Sequence, residues 1–150
     1  MLNSQPGTYA IVLRCSEGKN VSIGRLGEIQ LGKGNYIYIG SALGAGGVRA
    51  RVMRHIRNDK IRHWHIDYLK EHMPLVEVWY TYDAERREHH WAEVMSCMNL
   101  APYPKGFGSS DCDCYSHLFY IAARPEVSLF REAVTRQTAS HDRIDVWKPT

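Results

Sequence analysis

The chain has 150 residues, 44% of them hydrophobic and 23% charged, a globular balance that excludes disorder and allows a core without disulfide staples. The formal net charge of +3 and a pI near 8.7 are only mildly basic. No apolar run of 18 residues occurs and MLNSQPGTY lacks the marks of a signal peptide, so a membrane helix is excluded and a cytoplasmic protein is expected.

Cys15, Cys97, Cys112 and Cys114 are accordingly expected as reduced thiols. Charge is uneven along the chain. Residues 49–62 hold six Arg or Lys, one Asp and one His. Such a cluster suits a polyanion, and it also suits a plain solvated helix face.

Residues 7–14 are apolar and β-branched and predict a buried strand. Turn chemistry follows at Glu17-Gly18-Lys19-Asn20, with short strands at 21–23 and 28–31. After a second turn, residues 36–39 alternate aromatic and β-branched side chains and predict a central strand. Residues 41–47 are a glycine-rich loop, and a helix runs from about 46 to 57 on the apolar row Val48, Val52, Ile56. A second helix covers 64–72 and stops before Pro74, followed by a strand at 75–82. Asp83 is placed to cap a third helix ending near Met98. An irregular Pro-, Gly- and Ser-rich stretch leads to a last strand at 117–122, then a closing helix at about 125–138 and a frayed end from Ala139.

This order predicts a single α+β domain over 1–150: a central mixed or mostly antiparallel sheet flanked by helices, with a core at about 7–122.

Two of these strands carry Gly7-Thr8-Tyr9 and Tyr38-Ile39-Gly40, and the next helix carries Arg51 with His55 four residues on. In that order the motifs resemble the GIY-YIG nuclease superfamily. The blocks YIGSALGAGG, RHWHIDYL and FGSSDCDC–SHLFY resemble a poorly characterised branch of it, sometimes fused to endonuclease III. The resemblance covers about residues 7–122. It implies a metal-dependent endonuclease acting on DNA, structure-selective and repair-related, with DNA as partner and a DNA-repair protein as a further one. It also implies a catalytic group of Tyr9, Tyr38, Arg51, His55 and Glu88, with Glu88 holding Mg²⁺ or Mn²⁺. Tyr9 and Tyr38 lie 29 positions apart, farther than is usual in the family. The insertion requires an extra hairpin and leaves the pairing of the two strands open.

The residues carry a reading of their own. At about 100° per residue, Arg51 and His55 lie roughly 40° apart and flank the apolar row, at the rim of the core. A guanidinium there can clamp two phosphate oxygens; the plain alternative is a surface arginine. Arg49, Arg54 and Arg57, with Lys60 and Arg62, suit DNA-backbone contacts. A tyrosine with an unperturbed pKa near 10 needs a neighbour to act as a base, and strand tyrosines are commonly core residues. Tyr36 shares a face with Tyr38 and is a confounder. Glu88 shares a helix face with Trp91, Ala92 and Met95, so it points inward, where a metal or a nearby arginine must compensate it. Glu85 is the fallback, and Glu93 reads as solvated. His63, His65, Asp67 and His72 form a polar group, of which His65 and Asp67 are placed to shape a groove.

Two rival readings stand beside the nuclease. One is a non-catalytic nucleic-acid-binding module on the same fold. The other is a zinc-stabilised interaction protein built on Cys112, Cys114 and His117, with Asp111 or Asp113 as a fourth ligand.

Overall fold

The computed structural model describes residues 1–57, 62, 64–108 and 114–149. Lys60, His63, Ser109, Ser110, Asp111, Cys112 and Asp113, weighed above, lie outside the described residues.

Two nine-residue strands organise the molecule. β1 (Gly7–Cys15) and β4 (Gly34–Ala42) are buried along nearly their whole length. Their continuous apolar and aromatic runs require cover on both faces. Tyr9, Ile11, Leu13, Tyr36 and Tyr38 enter one core, and Ala10, Val12, Ile37 and Ile39 enter the other.

β1 pairs antiparallel with β4, Tyr9 facing Gly40 and Ile11 facing Tyr38. The open question about the long insertion is thereby answered. The inserted segment folds back on itself as β2 (Lys19–Ile23) and β3 (Gly27–Leu31), a separate two-stranded sheet. It buries Val21, Ile23 and Leu31 in the first core and leaves β1 and β4 adjacent. Around this pair stand β5 (Leu75–Thr81), β6 (Ala101–Pro102), β7 (Leu118–Ile121) and β8 (Asp145–Trp147). Among the described residues the main sheet has six strands in the order β6-β7-β4-β1-β5-β8, every pairing antiparallel. The class is α+β.

Helices cover both faces. α1 (Gly47–Ile56) and α2 (His65–Lys70) place Val48, Val52, Ile66 and Leu69 in the first core. α3 (Glu88–Cys97) and α4 (Val127–Gln137) place Trp91, Val94, Met95, Phe130 and Val134 in the second. There Phe130 stacks on Trp79, centroids 5.3 Å apart, and meets Trp91 edge-on at 5.0 Å. No helix among the described residues is long and apolar enough to cross a membrane.

The start of α1 agrees with the sequence expectation, whereas the start of α3 and the C-terminal end differ from it. α1 has no side-chain cap; its first N–H groups instead reach chain carbonyls upstream, Val48 to Gln5 and Arg49 to Asn3, each at 3.0 Å. Gly47 is required there, because its Cβ would run into the carbonyls of Ser4 and Gln5. α3 begins at Glu88, five residues past Asp83, because the Asp83 carboxylate is engaged elsewhere. It accepts the N–H groups of Glu85 and Asp142, both at 2.9 Å, and pairs with Arg87 at 3.1 Å. Finally, the end expected to fray is built in. β8 pairs with β5, Arg131 donates to the carbonyl of Ile144 at 2.8 Å, and Trp91 donates to His141 at 2.9 Å. The tail covers an open sheet edge, which no local pattern announces.

Candidate active site

The first core ends in a cleft of about 440 Å³ whose wall includes Tyr9, Tyr38, Arg51 and Glu88. Four elements deliver them: β1, β4, α1 and the first residue of α3. Tyr9 and Tyr38 stand on the same sheet face because Tyr38 faces Ile11, two residues along β1 from Tyr9. Gly40 makes room for them. A Cβ at Gly40 would fall on the Tyr9 ring and hydroxyl, so the ring lies across the backbone of the neighbouring strand.

His55 is fully buried behind this wall, with its Nε2 2.8 Å from the Tyr9 hydroxyl. Its ring also packs tilted on Tyr9 at 5.4 Å and edge-on to Tyr38 at 6.2 Å. Burial raises the Tyr9 pKa well above 10; a hydrogen bond and the charge of Arg51 counter it in part, and the charge of Glu88 adds to the rise. Burial likewise raises Tyr38, with Tyr9 and Glu88 adding to it. Both hydroxyls therefore carry their protons at neutral pH. Tyr36, the confounder, is removed from the question. It donates to the carbonyl of Gly32 and accepts that residue's N–H at 3.0 Å, away from the cleft. Burial pushes its pKa up to about 12.

The arginines of α1 divide their labour around one indole. Arg54 lies 3.7 Å from the centre of the Trp64 ring and grips Asp67 with both terminal nitrogens at 3.1 Å. Arg51 lies 4.8 Å from the same ring and lines the cleft. Among the described residues no carboxylate pairs with Arg51, whereas Arg54 is fully committed. Arg54 thus differs from the DNA-contact role that charge alone suggested. Arg49 and Arg57 are exposed, and Arg62 pairs loosely with Glu71 at 3.4 Å.

Glu88 faces inward as helix phase indicated, with Trp91, Ala92 and Met95 buried on the same side. Its Oε1 lies 3.5 Å from Arg86, 3.6 Å from His89 Nε2 and 3.7 Å from His117 Nδ1. The fallback Glu85 is 75% exposed and pairs with Arg87 at 3.4 Å. Glu93 is exposed.

Sequence reasoning missed part of the wall. Ser41, Leu43, Trp64, Arg86 and Gly108 also line the cleft. Ser41 Oγ is buried with no partner among the described residues, an acceptor and donor left for a ligand. Gly108, at φ +66°, lies so close to Tyr38 that a Cβ would stand 2.9 Å from the ring. Its N–H donates to His65 Nδ1 at 2.9 Å, which fixes that imidazole as a neutral acceptor; burial lowers its pKa below 6.5. The signal for Gly108 was present in the FG pair, but its contact partner is 43 residues away.

The cleft thus combines a cation with no carboxylate partner among the described residues, a buried carboxylate and a hydroxyl hydrogen-bonded to an imidazole. No curated protein and no solved structure matches the chain. A family model described as a domain of unknown function, DUF123, matches residues 8–139. By that match over most of its length, the chain belongs to the DUF123 family.

Proposed function

We propose that the cleft is the active site of a GIY-YIG-type, metal-dependent endonuclease that hydrolyses a DNA phosphodiester. The observation that carries this reading is the convergence of Tyr9, Tyr38, Arg51 and Glu88 on one cleft, from four separate elements. The exposed Arg49 and Arg57 beside it suit the DNA backbone.

Arg51 holds a non-bridging phosphate oxygen and stays charged while negative charge builds in the transition state. Water attacks phosphorus opposite the leaving oxygen. Its proton passes to the Tyr9 hydroxyl while Tyr9 hands its own proton to His55 Nε2, 2.8 Å away. The raised pKa of Tyr9 fits a relay, in which no free phenolate has to form. Tyr38 orients the water from the neighbouring strand. Glu88 fits a hard cation, since it is a buried carboxylate opening on the cleft and such an ion keeps waters as its remaining ligands. Bound there, Mg²⁺ or Mn²⁺ would withdraw charge from the phosphate and help the leaving oxygen. A DNA-repair protein is the expected partner in directing the cut.

The test is cleavage of nicked, branched and single-stranded DNA with Mg²⁺ or Mn²⁺. Glu88→Gln is expected to lower the rate by at least about 10²-fold and to leave DNA affinity nearly unchanged. A wild-type protein that binds all these substrates and cuts none would sink the nuclease reading and leave a binding module.

A further inference from the structure

Beside the cleft lies a second cluster with a different chemistry. His89, the second residue of α3, meets Cys114 and His117 from the segment that enters β7. One ligand atom from each lies within 4.8 Å of the others, and the two imidazole centroids are 5.8 Å apart. His89 stands 28 positions from His117 along the chain, so tertiary folding creates the group. The sequence pattern C-x₂-H supplied only Cys114 and His117 of it.

The backbone holds this cluster in place. His117 is buried; its N–H donates to the carbonyl of Phe107 at 2.8 Å, and its own carbonyl accepts the N–H of Ile39 at 2.9 Å. His89 is 55% exposed, so its side chain can turn toward the half-buried Cys114. Tetrahedral ligands bonded to zinc at about 2.0–2.3 Å stand about 3.3–3.7 Å from one another. Closing the cluster therefore asks for about 1 to 1.5 Å of movement, which the exposed His89 side chain can supply.

The cluster adjoins Glu88, whose Oε1 lies 3.6 Å from His89 Nε2 and 3.7 Å from His117 Nδ1, but its donor set differs from a lone carboxylate. Two imidazole nitrogens and a thiolate are soft to borderline donors, which suit zinc and not magnesium. We propose that His89, Cys114 and His117 form a zinc-type metal site. Binding would release the thiol proton and fasten the segment before β7 to the start of α3. That segment's neighbour, Gly108, forms the cleft wall against Tyr38, so the ion would stabilise the wall without entering it. The proposal does not depend on DNA cleavage, because metal binding reads it directly.

The experiment uses the full chain without a histidine tag, stripped with a chelator and titrated with Zn²⁺ and then Co²⁺ near neutral pH. About one equivalent of zinc is expected per chain, and the cobalt form should show a thiolate-to-metal absorption band. Cys114→Ser should remove that band, and His89→Ala, at an exposed position that folding does not need, should weaken zinc at least about 10-fold. Cys112→Ser should change neither. Glu88→Gln removes a charge next to both histidines but leaves all three ligands, so the thiolate band should remain even where cleavage is lost, which separates the two readings. A chain that takes up no stoichiometric zinc overturns the site. So does a cobalt band that survives Cys114→Ser or disappears with Cys112→Ser or Glu88→Gln.

Discussion

Arg51 and Arg54 sit three residues apart on α1 and share the Trp64 ring, yet their chemistry differs because, among the described residues, only Arg54 has a carboxylate partner. Arg54 is held by Asp67, and Arg51 is left to the cleft. Arg51→Lys keeps the charge but loses the planar fork, and charge-assisted bonds of about 1.5–3 kcal/mol are at stake. Cleavage by this variant is expected to fall about 10- to 100-fold while its thermal midpoint stays put. An unchanged rate would show that Arg51 does not bind the reacting phosphate. Gly40 is tested through the same pair of strands. In Gly40→Ala the added methyl collides with the Tyr9 ring and must displace its hydroxyl from His55. The expected result is a loss of about 1–3 kcal/mol in chemical denaturation together with a fall in cleavage rate.

At the scale of elements, the cleft depends on how helices are tied together. Asp67 is buried in the first turn of α2, where one carboxylate accepts the Trp64 N–H at 2.9 Å and both nitrogens of Arg54. It therefore caps α2 and clamps it to α1 in one contact. Asp67→Ala is expected to cost about 2–4 kcal/mol in urea unfolding, below the figure for a wholly buried pair because Arg54 is partly exposed. It should also free the Trp64 ring and lower DNA cleavage; a variant as stable as the parent would refute the clamp. Much of this level was legible in the sequence. A continuous apolar run located β1, alternation β4, a helical apolar row α1 and Pro125 α4, each to within a few residues. The start of α3 was not legible, since Asp83 is a good cap by type but its oxygens are taken by Asp142, 59 residues away, and by Arg87.

At the scale of the whole molecule, Asp83 joins the α3 entry to the C-terminal segment, and its protonation bears on global stability. Burial on its own would raise its pKa, but the Asp142 and Glu85 N–H groups and the Arg87 guanidinium outweigh this and hold it below 3.8. The unfolded chain then binds this proton first on acidification. The stabilisation is complete above about pH 3.8 and disappears as pH falls through the lowered value. His65 and His90 are also lowered by burial, His90 further by the charges of His141 and Arg87. Their contribution is present above pH 6.5 and declines below it. Urea midpoints plotted against pH should therefore fall in two stages. Asp83→Asn should be less stable at neutral pH and lack the lower stage; a profile of unchanged shape would mean Asp83 does not couple to folding.

Taken by itself, the sequence determined the kind of each major element, the α+β class, the place of Arg51 and His55 beside the apolar row of α1, and the inward aim of Glu88. Those properties depend on periodicities that repeat within a few residues, so they are readable without knowing the partner surface. Only the tertiary structure decided that Tyr9 and Tyr38 share a face despite the hairpin between them, that Arg54 pairs with a carboxylate while Arg51, among the described residues, does not, and that the last residues complete the sheet. It also brought His89 to Cys114 and His117. Each of these is a contact between distant segments, chosen by which surfaces bury one another and which charges then have to be paired, and no local pattern carries that information.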